Sequence, residues 1–224
     1  MAAVPLHEGL GIDYVTDMEE AQNFTNLMWP DGNDHFCKTV YSYSKNVAEL
    51  DQMVVRMILE NFGIEKYYES HVESTSYLLR FLKYLAPDTP DQATQAFPCH
   101  TDKTFFSILH QNQVNGLEVK TKNGEWVGFD LTPSSFVVMA GDASKAWSNG
   151  RIHSCEHRVT MCGTETRYTL GLFSFIGGTV NIPEELIDNE HPLKYKPFNN
   201  VAMVQFYAAK GRVNAYSLEA FCGI

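Results

Sequence analysis

Apolar positions change their period about a third of the way along the chain. In the first stretch they recur at helical spacing. Thr16 or Asp17 can cap a short helix carrying Ala21, Phe24 and Leu27, and Pro30-Asp31-Gly32 ends it. Val40, Val47, Leu50, Val54, Met57 and Ile58 then recur at intervals of three, four and seven, and Asn61-Phe62-Gly63 supplies a stop. This predicts one long amphipathic helix packed on a sheet. A shorter helical segment is expected over about 65–71.

Beyond residue 72 the pattern turns to strands. Ser76 to Tyr84 is rich in strand formers, 86–91 reads as a loop, and Phe105 to His110 reads as a second strand. Segments 116–120 and 125–128 flank Lys122-Asn123-Gly124, a hairpin signal through Asn-Gly. Ser135 to Ala140 predicts a buried strand ended by a tight turn at Gly141-Asp142, and further strands are expected around 154–162 and 167–176. After Pro183 the chain returns to helix and loop, with a helix near Val201–Lys210. Trp126, Phe136 and Val138 are expected in the core. Phe105 and Phe106 alternate, so one should line a pocket and the other the core. Many short strands separated by turns predict a mainly β fold with flanking helices, a double-sheet jelly roll (double-stranded β-helix, cupin-like) or a barrel, preceded by a long amphipathic helix. The expected division is a helical segment 1–72 packing on the core and a jelly-roll domain 73–224 with C-terminal helices. No internal repeat is evident.

Composition narrows the partners. The 224 residues carry a net charge of −10, which argues against nucleic acid. No apolar run approaches a membrane span, and the first residues lack the pattern of a signal peptide. Five scattered cysteines (Cys37, Cys99, Cys155, Cys162 and Cys222) fit a reducing compartment better than a disulfide framework. Cys155 and Cys162 lack a second close pair, so no structural zinc site is expected. The reading is a cytoplasmic monomer with a small-molecule substrate, binding neither membrane nor nucleic acid.

The candidate chemistry begins at His100-Thr101-Asp102. In an extended segment i and i+2 share a face, so His100 and Asp102 can converge on one ion, while Cys99 points away. His157 would join from a distant strand. Two histidines and a carboxylate with open positions form the facial triad that non-haem iron(II) oxygenases use. His153 is a rival third ligand, four positions earlier (157 − 153) with the same parity. His110 lies a strand length beyond Asp102. Arg167 and Thr169 share a face, so guanidinium and hydroxyl can hold one carboxylate. A zinc hydrolase could use the same ligands with a bound water, but Arg167 has no task there.

The same residues carry a family resemblance. His100-Thr101-Asp102, Gly116-Leu117-Glu118-Val119, Gly124-Glu125-Trp126, Gly141-Asp142, Ser148-Asn149-Gly150-Arg151, His157-Arg158-Val159 and Arg167-x-Thr169 resemble the catalytic domain of plant 2-oxoglutarate/iron(II)-dependent dioxygenases. Ile108-Leu109-His110-Gln111, Leu117 to Lys122, Thr166-Arg167-Tyr168 and Gly171-Leu172-Phe173-Ser174 are similar to its AOP-like branch, the alkenyl- and hydroxyalkyl-producing enzymes of glucosinolate metabolism. The resemblance implies His157, not His153, as third ligand. It implies Fe(II), 2-oxoglutarate and O2, with ascorbate as reductant, and Arg167 with Thr169 on the distal carboxylate, where the family usually has Arg-x-Ser. Tyr84 matches the tyrosine of an Asn-x-Tyr motif that contacts the cosubstrate, with Leu82 in the asparagine's place. The implied reaction forms succinate and CO2 while a small specialised metabolite is hydroxylated, desaturated or cleaved. Relatives carry roughly another hundred residues ahead of Val4-Pro5-Leu6, so a shortened chain is expected, with a catalytically impaired or non-catalytic metal-binding protein as the alternative.

Overall fold

The computed structural model describes residues 6–132, 134–209 and 217–224. In chain order the elements are β1 (His7–Ile12), α1 (Met18–Met28), α2 (Asp34–Phe62), a 3-10 turn at Glu65–Tyr67, α3 (Tyr68–Ser74), β2 (Thr75–Tyr84), β3 (Thr94–His100), β4 (Phe106–Gln111), β5 (Leu117–Lys120), β6 (Trp126–Gly128), β7 (Val137–Ala140), α4 (Asp142–Trp147), β8 (His157–Met161), β9 (Arg167–Ile176), β10 (Thr179–Val180), β11 (Phe198–Asn199), α5 (Asn200–Ala209) and α6 (Leu218–Cys222). Lys210, the expected end of α5, lies outside the described residues.

The early helices begin where side chains satisfy free backbone donors. Asp17 accepts the Glu19 N–H at the start of α1, and Asn33 accepts the Phe36 N–H at the start of α2. Gly63 closes α2 at φ 69°, a left-handed conformation that costs glycine no Cβ clash. The buried side of α2 runs through Cys37, Val40, Val47, Ala48, Val55 and Leu59. Its N-terminal part packs on Tyr77, Leu79, Ile108 and Leu172, which cover one face of β2, β4 and β9. On α1 the buried residues are Ala21 and Thr25; Leu27 faces solvent at 77% exposure.

The larger sheet has the order β1-β2-β9-β4-β7 and the smaller β3-β8-β5-β6. Every neighbouring pair is antiparallel, giving the expected double-sheet roll. Two apolar clusters join the sheets. Leu82 and Tyr84 meet Ala96, Val159 and Met161; Leu109 and Met139 meet Leu117. β1 arises in the stretch expected to be helical and pairs with β2 from His7↔Tyr84 to Ile12↔Leu79.

Other expectations are corrected. Gly141-Asp142 opens α4 and is not a simple turn. A Cβ on Gly141 would stand 2.2 Å from the Thr104 carbonyl oxygen, so only glycine allows this approach. Phe105 and Phe106 are both buried in one cluster with Leu59, Trp147 and Ile176, because Phe105 precedes β4 and tucks beside α4. Phe136 and Val138 are 39% and 37% exposed, since they lie beside and on β7, the edge strand of the larger sheet, and Trp126 is half-buried under Arg158.

One charge is sealed between α2 and the larger sheet. Asp51, 2% exposed, accepts hydrogen bonds from Tyr77 Oη at 3.1 Å and Ser174 Oγ at 3.2 Å. Burial outweighs these bonds and pushes its pKa up to about 6. The folded pKa lies above the unfolded value, so this group's contribution to stability is fully present below about pH 4 and is lost as pH rises through 6. The loss amounts to about 3 kcal/mol. Asp51→Asn should remove that slope, so that urea denaturation shows the variant gaining on the wild type between pH 4 and pH 7. Parallel stability curves for the two proteins would refute this account of Asp51.

Candidate metal centre and anion pocket

β3 and β8 pair so that His100 and His157 are register partners, with ring centroids 4.2 Å apart. The pleat of β8 turns His157 and Val159 inward and Arg158 outward. Arg158 Nε donates to Glu118 at 2.7 Å on the outer side. β3 ends at His100, so Asp102 is a loop residue and strand parity alone does not place it. The start of α4 does. The Asp142 N–H donates to the Asp102 carbonyl at 2.8 Å and the Ala143 N–H to the Thr104 carbonyl at 3.2 Å. Asp142 Oδ2 in turn accepts from Thr101 Oγ1 at 3.0 Å and Lys103 Nζ at 2.5 Å. Ser107 Oγ, from β4, donates to Asp102 Oδ2 at 2.6 Å.

The carboxylate is thereby aimed at both rings. His100 Nε2 lies 3.5 Å from Asp102 Oδ1, and His157 Nε2 lies 3.8 Å from Oδ2. The three potential ligand atoms fall within 4.8 Å of one another. Each ring's other nitrogen faces a backbone carbonyl, Nδ1 of His100 at 2.8 Å from Pro98 O and Nδ1 of His157 at 3.0 Å from Cys155 O. A carbonyl only accepts, so each Nδ1 carries a proton, which leaves Nε2 as the inward nitrogen that can offer a lone pair to an ion. Burial lowers the His157 pKa against the pull of Asp102, which favours the neutral form. For Asp102, burial alone would raise the pKa, but the two facing imidazoles and the Ser107 hydroxyl together outweigh it. The carboxyl is held far below its usual range. Two lone pairs and a carboxylate with no proton between them suit a divalent cation, and backbone carbonyls orient the rings as outer support.

The rivals stand elsewhere. His153 is exposed in the loop before β8, although parity could not separate it from His157. His110 has Nδ1 3.4 Å from Tyr43 Oη, on the α2 side of the larger sheet. Cys99, between Phe97-Pro98 and His100, is half-buried and outside the three-residue group.

On the larger sheet, the pleat of β9 splits Arg167-Tyr168-Thr169 as the sequence predicts. Arg167 is 1% and Thr169 3% exposed, whereas Tyr168 is 54% exposed. Tyr84 is the β2 register partner of Arg167, and Gln111 the β4 partner of Thr169. The guanidinium lies 5.0 Å from the Tyr84 ring centroid. Its Nη2 and Nε donate to Gln111 Oε1 at 2.8 and 3.3 Å. Among the described residues no carboxylate forms an ion pair with Arg167, and the buried Thr169 Oγ1 has no hydrogen-bond partner. Burial lowers the Arg167 pKa and raises that of Tyr84. A buried cation beside an unpartnered hydroxyl suits a carboxylate. Gln111 and Ser107 were not singled out from sequence. Both share inward parity with Leu109 on β4, and a polar residue at such a position was the available signal.

Comparisons with known proteins agree with this geometry. Residues 67–176 match the 2OG-Fe(II) oxygenase superfamily. A probable 2-oxoglutarate-dependent dioxygenase, AOP1.2 of Arabidopsis thaliana, is 45% identical, with 96% of this chain and 70% of the relative covered. The 2-oxoglutarate-dependent dioxygenase AOP3 of Arabidopsis thaliana is 30% identical, with 98% and 77% covered. Among solved structures, the rice dioxygenase for auxin oxidation superposes with a TM-score of 0.85 at 28% identity, over 97% of this chain and 74% of that one. Dioxygenase for auxin oxidation 1 of Arabidopsis thaliana, solved with 2-oxoglutarate, gives a TM-score of 0.75 at 25% identity, over 84% and 70%. The chain belongs to the 2-oxoglutarate/Fe(II)-dependent dioxygenases, and within them to the AOP-like branch.

Proposed function

We propose that His100, Asp102 and His157 hold Fe(II), and that Arg167 and Thr169 hold the distal carboxylate of 2-oxoglutarate. The observation that carries this is a pair of complementary groups on facing sheets: two imidazoles and a carboxylate with ligand atoms within 4.8 Å of one another, and a buried guanidinium that, among the described residues, has no carboxylate partner and lies beside a buried hydroxyl with no hydrogen-bond partner. Fe(II) with 2-oxoglutarate and O2 supplies the oxidation, in which succinate and CO2 form while the substrate is hydroxylated, desaturated or cleaved. The protein's work is placement. His100 and His157 keep fixed tautomers, Asp102 keeps its charge, and Ser107 limits rotation of the Asp102 carboxylate. Arg167 gives a bidentate-capable fork and Thr169 a hydroxyl. Tyr84, buried with its ring 5.0 Å from the guanidinium, borders the anion site on that side.

We read the substrate as a small specialised metabolite, supported by the AOP-like membership. A cytoplasmic monomer, free of membrane and nucleic acid, fits the net charge of −10 and the lack, among the described residues, of any helix long and apolar enough to cross a membrane. The division into a segment 1–72 and a domain 73–224 places α1, α2 and most of α3 in the first part and the facing sheets, except β1, in the second.

Two tests address the assignments. His157→Ala should lower Fe(II)-dependent succinate formation by about 100-fold or more and weaken Fe(II) binding, while His153→Ala leaves both unchanged. Undiminished turnover in the first variant, or its loss in the second, would exclude His157 as the ligand. Arg167→Ala should raise the KM for 2-oxoglutarate by roughly 10- to 150-fold, since a charge-assisted contact is worth about 1.5–3 kcal/mol. An unchanged KM would remove Arg167 from the cosubstrate site.

A further inference from the structure

We infer that Gln111 is a positioning residue for the cosubstrate: its neutral side chain aligns the buried Arg167 guanidinium without neutralising it, and so reserves the charge for an incoming carboxylate. The inference rests on the reading that Arg167 receives the distal carboxylate of 2-oxoglutarate. Gln111 is 6% exposed and sits on β4 beside β9. Its Oε1 accepts from both Nε and Nη2 of Arg167, which fixes the plane of the fork. Its own amide is fixed in turn, with Nε2 donating to Val114 O at 3.2 Å and to Asn115 Oδ1 at 3.3 Å. Those two anchors decide which end of the amide faces the arginine. A guanidinium taken out of water needs acceptors, and a carbonyl oxygen supplies them while leaving a net positive charge. A carboxylate at the same point would satisfy the same N–H groups and also cancel the charge, so the site would be closed to an external acid before one arrived. Glutamine and glutamate have nearly the same shape, so the substitution adds a charge at Arg167 and removes only the amide's donors to Val114 and Asn115.

The test is a set of variants of the 224-residue chain, loaded with Mn(II) to stop turnover and titrated calorimetrically with 2-oxoglutarate and with pyruvate, a 2-oxo acid without a distal carboxylate. Gln111→Glu is expected to bind 2-oxoglutarate about tenfold or more weakly and to bind pyruvate and Mn(II) as the wild type does. A residue that merely supports the fold would lower the urea midpoint while the binding of both oxo acids is kept. Gln111→Met, uncharged and of similar length, is expected to weaken 2-oxoglutarate binding several-fold and provides the readout if the glutamate variant does not fold. Wild-type 2-oxoglutarate binding in the folded glutamate variant, or in the methionine variant, with binding lost in Arg167→Ala, overturns the role of Gln111 alone. Wild-type binding in Arg167→Ala overturns the reading beneath it and the inference together.

Discussion

β9 is the central strand of the larger sheet, and both of its faces are covered. Its ten register pairs with β2 and its pairing with β4 fix which residues point each way. On one side Leu172 and Ser174 meet α2; on the other Arg167, Thr169 and Phe173 meet the space between the sheets. A slip of one residue would exchange the two sets. Arg167 would then lie where Tyr168 now meets solvent, and the inner face of the sheet would lose its cation. The long apolar seam under α2 therefore holds the chemistry in register, although none of its residues takes part in it.

The strand carries a buried charge partner on each face, and the two are solved differently. Asp51 meets Ser174 and Tyr77, two hydroxyls that donate to it, yet burial still pushes its pKa up to about 6. Protonation can relieve that site. Arginine has no such escape, since it stays charged in proteins. Its environment is a neutral carbonyl, an aromatic face and a hydroxyl with no partner. A fold selected for stability alone would place a carboxylate or an apolar residue there. Leaving the cation unmatched and the threonine hydroxyl unbonded is a cost that binding of an anion offsets, which is the pattern expected of a functional site.

Much of this was legible from residue pattern. The spacing of Val40, Val47 and Leu50 gave α2, Asn123-Gly124 gave the β5–β6 hairpin, and parity gave the shared inward face of Arg167 and Thr169. Parity could not separate His153 from His157, because the difference is where β8 begins, a matter of pairing with β3 and not of local sequence. Exposure of Phe136 and Val138 was equally hidden, since a strand's burial depends on where it lies in the sheet. β1 was missed because His7 to Ile12 alternates weakly and contains two glycines, and its pairing with β2 alone reveals it.

Asp102 shows the same limit at the site itself. A His-x-Asp spacing was read as one face of an extended segment, but the strand stops at His100 and the chain turns. What holds Asp102 is tertiary: the first N–H groups of α4 reach the carbonyls of Asp102 and Thr104, and the Asp142 carboxylate receives Thr101 and Lys103. That contact needs the backbone of Gly141 pressed against Thr104, where any Cβ would collide. Lys103 is held further by the Tyr207 ring of α5, 4.3 Å from its Nζ. The three candidate ligands thus draw their geometry from three sources: a strand end, a strand start and a loop latched by a helix. A loop so latched has few conformations to lose when an ion arrives, so its ordering was completed on folding and does not reduce metal affinity.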